Sequence, residues 1–229
     1  MIDAHTKFKV CFLSIRRALL RVFQRKDTLM IVLEGVDGSG KSSLANLLSK
    51  RFGFKVIHKS GPGRTLEEMN QDMRERMANK ELVVYDRIPI ISEMMYGKIT
   101  RDKSLYDNAE GLALMNQWLE TQPMVIYCRP GVPRIINQAL IKKEHDTEEH
   151  LTLVKNRMIS LIHCYDDLFI QLMGVVYGRI FVYNWTNFDF IEKCVQRRIT
   201  EHAIVNQVIA TDAQGRPILN RPLKKGFIT

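Results

Sequence analysis

The stretch LMIVLEGVDGSGKSS at 29–43 limits what this chain can fold into more than any other. Leu29 to Leu33 is an apolar run of strand length. Gly35, Gly40, Lys41 and Ser42 then complete the spacing G-x-x-x-x-G-K-[ST], and Leu44, Ala45, Leu47 and Leu48 open a helical pattern. Strand, glycine-rich turn and helix in that order are the setting of a phosphate-binding loop. Glycines let the main chain curl until successive N–H groups point inward at phosphate oxygens, and the helix N-terminus adds partial positive charge at the same point. The expected cradle is Gly35, Val36, Gly38, Ser39, Gly40, Lys41, Ser42 and Ser43. Within it Lys41 is placed to reach the β- and γ-phosphates of ATP, and the Ser42 hydroxyl to ligate Mg²⁺. A turn that binds nothing is the competing reading, and the complete spacing with both flanks weighs against it.

A chain of 229 residues that is 45% hydrophobic suits one α/β domain with extensions. Cys11, Cys128, Cys164 and Cys194 are scattered with no C-x-x-C pair, which reads as buried thiols in a reducing, cytoplasmic compartment rather than a disulfide frame or a zinc site. No apolar run reaches transmembrane length and no secretory signal is evident. The net charge of +9 sits at the ends. Residues 1–28 hold Lys7, Lys9, Arg16, Arg17, Arg21, Arg25 and Lys26 against Asp3 and Asp27. Residues 215–229 hold Arg216, Arg221, Lys224 and Lys225 with no acid, so the body between is neutral overall. Basic ends suit either a polyanion such as DNA or plain solvation.

The chain therefore divides into a basic extension over 1–28, a body over 29–200 and a basic tail over 201–229. Residues 6–25 place Phe8, Phe12, Ile15, Leu19 and Val22 at helical spacing beside arginines. Three roles stay open for this helix: packing on the body or a sister subunit, lying on nucleic acid or membrane, or acting as an import-like leader. In the body, strands are expected at Lys55 to His58, Leu82 to Tyr85, Met124 to Cys128 and Ile180 to Tyr183. Helices are expected from Thr65, an N-cap, to Ala78, from Leu105 to Leu119, from Arg134 to Ile141, from Leu151 to Leu172 and from Phe188 to Ile199. The fold class is α/β: three layers, with a central parallel sheet of about five strands flanked by helices.

Several further residues are candidates for the site. Lys59 and Arg64, in the turn after the second strand, suit an acceptor anion or simple solvent exposure. Asp86 and Arg87 end the third strand, where an acid is placed for the Mg²⁺ shell and an arginine for the phosphoryl group or the acceptor; a structural ion pair is the alternative. Pro89 opens a segment in which Tyr96 offers a ring or a hydroxyl and Met94 and Met95 suit a pocket wall or ordinary core. The charged run at 142–150 reads as a mobile lid, with Arg134, Lys142 and Lys143 as phosphate clamps, or as a solvated turn. His145 and His150 lack a convincing metal set.

With these motifs in hand, the chain resembles the thymidylate kinase group of nucleotide kinases over about 29–200. LEGVDGSGKSS at 33–43 fits that group's phosphate loop, VVYDR at 83–87 its strand ending in Asp-Arg, and PMVIYCRPGVP at 123–133 its next core strand and turn. The resemblance implies that Asp37 contacts the deoxyribose of the acceptor, that Arg87 touches the acceptor phosphate, and that homodimers are common. Departures fall on the acceptor side: Ile88 follows Asp-Arg in place of an aromatic or His, the acceptor loop is Lys59-Ser60-Gly61-Pro62-Gly63, and the lid carries lysines. DRIPIISEMMYG at 86–97 also looks like viral relatives of the group, some acting on nucleotides and others phosphorylating 5-hydroxymethyluracil within DNA.

The leading expectation is thus a kinase moving the γ-phosphoryl group of ATP to a pyrimidine deoxynucleotide, with Lys41, Asp86, Arg87 and Asp37 at the centre of the chemistry. A DNA-base kinase is the second; its hydroxyl acceptor needs a carboxylate base, Asp37 or Glu93, and its polymer would engage the basic ends. A hydrolysing switch or motor is the third, against which stands the lack of an Asp-Glu strand end.

Overall fold

The computed structural model describes residues 29–58, 65–79, 81–141, 148–176 and 178–208. The basic extension, the turn with Lys59 and Arg64, the lid lysines Lys142 and Lys143, and the basic stretch 215–229 lie outside these residues.

Five strands form one parallel sheet: β1 Met30–Glu34, β2 Lys55–His58, β3 Val83–Asp86, β4 Met124–Cys128 and β5 Ile180–Tyr183, in the order β2-β3-β1-β4-β5. Parallel neighbours need long crossovers. These contain the helices α1 Lys41–Phe52, α2 Leu66–Ala78, α3 Pro89–Arg101, α4 Ala109–Glu120, α5 Val132–Ile141 and α6 Glu148–Val175, and α7 Phe188–Val208 follows β5. β1 is paired on both sides, with Leu33 beside Asp86 of β3 and Ile126 of β4.

Side chains of the central strands divide by parity. Met30, Val32, Val83, Tyr85, Val125 and Tyr127 pack with α2, α3, α4 and α6. Ile31, Leu33, Val84, Ile126 and Cys128 pack with Leu44, Ala45 and Leu48 of α1 and Ile191 and Val195 of α7. Both faces are covered, which is why Met30 to Leu33 of β1 and all of β4 read as unbroken apolar runs rather than alternating ones. Trp118 and Tyr106 are buried in the first core, as core aromatics should be, whereas Leu112 lies exposed on α4.

Element ends differ from expectation where caps or packing intervene. α4 starts at Ala109, not Leu105, because the Asn108 side chain accepts from Gly111 N at 2.7 Å and caps the helix. α2 starts where Thr65 suggested, with a full capping box to Glu68. Glu148 to His150, assigned to the charged run, are the first turn of α6, and α7 continues past Ile199 to Val208, so position 201 falls inside a helix. Among the described residues no helix is long and apolar enough to cross a membrane.

Candidate active site

Strand order reverses about β1: the chain passes to β2 and β3 on one side, then to β4 and β5 on the other. Crossovers leaving in opposite directions open a crevice at the carboxyl edge there. The loop from Gly35 to Gly40 lies in that crevice. Gly35, Gly38 and Gly40 have φ of 140°, 77° and 88°. A Cβ on Gly35 would stand 2.6 Å from Cys128 O and 2.9 Å from Ser39 Oγ, and one on Gly40 would collide with the Trp185 indole, so only glycine fits.

Lys41, 6% exposed, donates from Nζ to Val36 O at 2.6 Å and to Ser39 Oγ at 3.5 Å. Burial, then the charge of Arg87, lowers its pKa to about 8, against the opposing pull of Asp37. Ser42 Oγ donates to Asp86 Oδ2 at 2.8 Å, and His58 Nδ1 lies 3.1 Å from the same oxygen. Thus one carboxylate at the end of β3 joins the loop helix to the end of β2. Trp185, after β5, donates from Nε1 to Ser39 O at 2.7 Å, and the Arg134 guanidinium lies 5.7 Å from the centre of its ring. Arg134 therefore stands by the β5 loop, over an aromatic face.

Arg87 and Asp37 meet across the crevice. Arg87 Nη2 donates to Asp37 Oδ1 at 2.7 Å and to the Tyr96 hydroxyl at 2.7 Å; the Tyr96 hydroxyl donates to Asp37 Oδ2 at 3.2 Å. Burial holds the Tyr96 phenol above its ordinary range. Arg87 has φ 74°, in the left-handed region that non-glycine residues avoid. Three bonds hold it there: Arg87 N to Leu33 O at 2.9 Å, Arg76 Nη1 to Arg87 O at 2.9 Å, and Ile88 N to Glu34 Oε1 at 2.8 Å.

Glu34 was not singled out among the candidates above. It is fully buried and also accepts from the Tyr165 hydroxyl at 3.1 Å. Burial pushes its carboxyl pKa up, against Arg87, the Ile88 N–H and Lys41. The signal available was its being the one charge in an otherwise apolar strand. His58 and Trp185 were likewise unsuspected. Glu93, a candidate base, is not among the crevice lining: its carboxylate is ion-paired with Arg101 and accepts from Leu105 N at 3.0 Å.

The crevice has a volume of about 610 Å³ and is lined by Asp37, Gly38, Gly40, Lys41, Ser42, Ser43, Asp86 and Arg87, with His58, Gln138, Tyr183 and Trp185 as further walls, while Ser39 of the expected cradle is buried. Among the described residues no three His, Cys, Asp or Glu side chains converge as a metal cage. Ser42 and Asp86 instead offer a pair of hard oxygen donors, the partial set that suits Mg²⁺ when phosphate oxygens complete its shell.

No family model matches this chain, and no curated protein does. Solved structures do. The YorR protein of Bacillus subtilis, in complex with phosphorylated GDP, matches with a TM-score of 0.57 at 20% identity, over 76% of this chain and 98% of that one. Deoxyadenosine kinase from M. mycoides with bound dCTP matches with a TM-score of 0.45 at 19% identity, over 77% and 100%. Polyphosphate Kinase 2 from Arthrobacter aurescens TC1 matches with 0.44 at 14%, over 90% and 80%. The fold is α/β, a five-stranded parallel sheet of order 2-3-1-4-5 flanked by helices, and is shared with the YorR structure.

Proposed function

We propose that this chain is an ATP-dependent phosphotransferase that moves the γ-phosphoryl group to the phosphate of a pyrimidine deoxynucleotide. One observation carries the reading: Lys41, the Ser42–Asp86 pair and the Arg87–Asp37–Tyr96 cluster line or adjoin a single crevice at the carboxyl edge of the sheet. A donor phosphate would lie along the loop amides with Lys41 at its charged end, and the acceptor would approach from the side of Arg87.

Phosphoryl transfer asks mostly for positioning and charge neutralisation. Lys41 and the loop amides supply positive charge to the β- and γ-phosphates. Ser42 and Asp86 would hold Mg²⁺, which would supply further positive charge to the phosphates. Arg87 takes the acceptor anion; its bond to Asp37 is exchanged for the incoming phosphate, which frees Asp37 for the sugar. Trp185 and Arg134 offer the nucleobase a wall beyond the loop. A phosphate nucleophile needs no strong base.

A second reading, phosphorylation of the hydroxymethyl group of 5-hydroxymethyluracil in DNA, is favoured by the Asp37 side chain, 69% exposed at the crevice mouth, where it offers a base to a hydroxyl. Labelled ATP offered with Mg²⁺ to free deoxynucleotides and, separately, to DNA bearing hydroxymethyluracil decides between them. Label on a free pyrimidine deoxynucleotide supports the first reading. Label only in the polymer, lost when residues 1–28 are removed, replaces it with the second. ATP loss without a phosphorylated product refutes both.

A further inference from the structure

Trp185 stands in the turn between β5 and α7 with φ 76°, in the left-handed region that a bulky side chain avoids. The turn is tied so as to hold it there. Asn184 N donates to Asn187 Oδ1 at 3.0 Å, and Thr186 N and Oγ1 donate to Asn184 Oδ1 at 3.1 and 2.9 Å. Asn187 Nδ2 donates to Val182 O at 2.8 Å, which fastens the turn to the strand before it. Two asparagines thus close the chain around a strained tryptophan, and strain kept in place by its surroundings calls for a local reason.

The reason lies in the phosphate loop. The indole is partly buried and donates from Nε1 to Ser39 O at 2.7 Å. It also lies against Gly40, where a Cβ would stand 2.3 Å from Nε1 and 3.1 Å from Cδ1 and Cε2. The Ser39–Gly40 peptide is trans, so its N–H points opposite to its C=O. Anchoring Ser39 O to the indole therefore turns Gly40 N–H to the side away from Trp185. Gly40 does not fix this orientation by itself. A residue without Cβ accepts φ of either sign, so the peptide plane is free to rotate and bring the carbonyl round. A carbonyl in place of an N–H in a phosphate cradle exchanges attraction for repulsion.

We propose that, in the phosphotransferase reading given above, Trp185 is a positioning residue that sets the polarity of the Ser39–Gly40 peptide. It keeps the N–H, and not the C=O, toward the phosphates of the nucleotide. The role rests on that reading and is separate from the wall that the indole offers a base. It acts on any polyphosphate chain, whatever base the chain carries.

Inorganic tripolyphosphate has no base to meet the indole and so isolates the loop. Titration calorimetry in the presence of Mg²⁺ compares the full-length wild type with Trp185→Phe and with a protein carrying 3-benzothienylalanine in place of Trp185. The second replacement keeps the outline of the indole and exchanges its N–H for sulfur. Loss of one neutral hydrogen bond changes an equilibrium by about three- to tenfold, and both variants should bind tripolyphosphate more weakly by that factor. The chain has two Ser-Gly pairs, Ser39-Gly40 and Ser60-Gly61. Serine labelled at its carbonyl carbon with glycine labelled at nitrogen therefore isolates two amide signals, and Ser60→Ala removes the second. On addition of tripolyphosphate the Gly40 amide proton should move downfield in the wild type and stay in place in the benzothienyl protein, a signature that general loosening of the fold does not produce. Wild-type affinity in the benzothienyl protein overturns the proposal and leaves the phosphotransferase reading standing. So does an equal downfield move of the Gly40 signal in both proteins. A wild type that takes up neither tripolyphosphate nor ATP removes the phosphotransferase reading, and this role with it.

Discussion

Glu34 is the residue on which the geometry of Arg87 leans, and its removal has a calculable cost. Its two carboxylate oxygens are the acceptors for Ile88 N at 2.8 Å and the Tyr165 hydroxyl at 3.1 Å, and the side chain is fully buried. Glu34→Ala orphans both donors. An unsatisfied buried donor costs about 1–3 kcal/mol, so the pair costs about 2–6 kcal/mol. For a chain of this size 1 kcal/mol lowers Tm by roughly 2–4 °C, which places the drop at roughly 8–16 °C for a mid-range cost. Glu34→Gln keeps an acceptor for Ile88 N, and the Tyr165 hydroxyl can turn to accept from the amide, so its cost is about 1 kcal/mol. The two variants differ in pH behaviour as well. Burial raises the Glu34 pKa above 4.5. Above pH 4.5 the folded protein then binds more protons than the unfolded chain, so the wild type loses stability relative to Glu34→Gln as pH rises through that window. Calorimetric unfolding of the three proteins from pH 4 to 8 tests both statements. A Glu34→Ala protein melting within about 2 °C of the wild type would refute the bonding role assigned to this carboxylate.

The phosphate side and the acceptor side yield separate expectations. Lys41→Ala should abolish transfer with an unchanged circular dichroism spectrum; turnover near wild type removes the loop from the mechanism. Because the Lys41 pKa is lowered to about 8, kcat/KM for ATP should be flat below that pH and fall about tenfold per unit above it, as the ammonium is lost; a flat profile to pH 9.5 contradicts the burial argument. Gly40→Ala drives a Cβ into the Trp185 indole and strains φ of 88°, so titration calorimetry should show ATP affinity down by more than about tenfold, equivalent to 1.4 kcal/mol or more. Arg87→Lys exchanges a two-pronged donor for a point charge; the acceptor KM should rise by roughly 10–100-fold while the ATP dissociation constant stays within about twofold.

The fold and the phosphate loop were legible because each is written locally. The loop is a run of fifteen consecutive positions, and the strands are apolar runs bounded by Gly, Pro or charge. Of the described thiols expected to be buried, only Cys128, in β4, is so, with its pKa pushed up to about 12 by burial; Cys164 and Cys194 are half-buried on their helices. What escaped was written at a distance. Glu34 meets Tyr165 131 positions on, and Trp185 bonds to Ser39 across 146. A lone acid in a buried strand announces that partners exist but not where. Glu93 shows the same limit: it was a candidate as a carboxylate base, and the sequence did not announce its ion pair with Arg101 of the same helix.

Parity along β3 accounts for the two jobs done by two adjacent residues. Val84 packs toward α1, and Val83 and Tyr85 toward α3. Continued by one step, that alternation sends Asp86 to the α1 face, where Ser42 meets it, and His58 of β2 arrives on the same face in register with Asp86. Arg87 then belongs to the opposite face, and there it finds Tyr96 of α3. A strand that simply ran on would carry Arg87 away from the crevice. The left-handed φ at Arg87 turns the main chain directly into α3 and swings the guanidinium back over the end of β1 to reach Asp37. The strain costs on the order of 1–3 kcal/mol. The joint is held by Leu33 O and Glu34 of β1 and by Arg76 of α2, so its support comes from two separate elements. Setting the Asp86 carboxylate against Ser42 and the Arg87 guanidinium against Asp37, one residue apart, therefore requires a strained joint, and the buried side chains of Glu34 and Arg76 hold that joint.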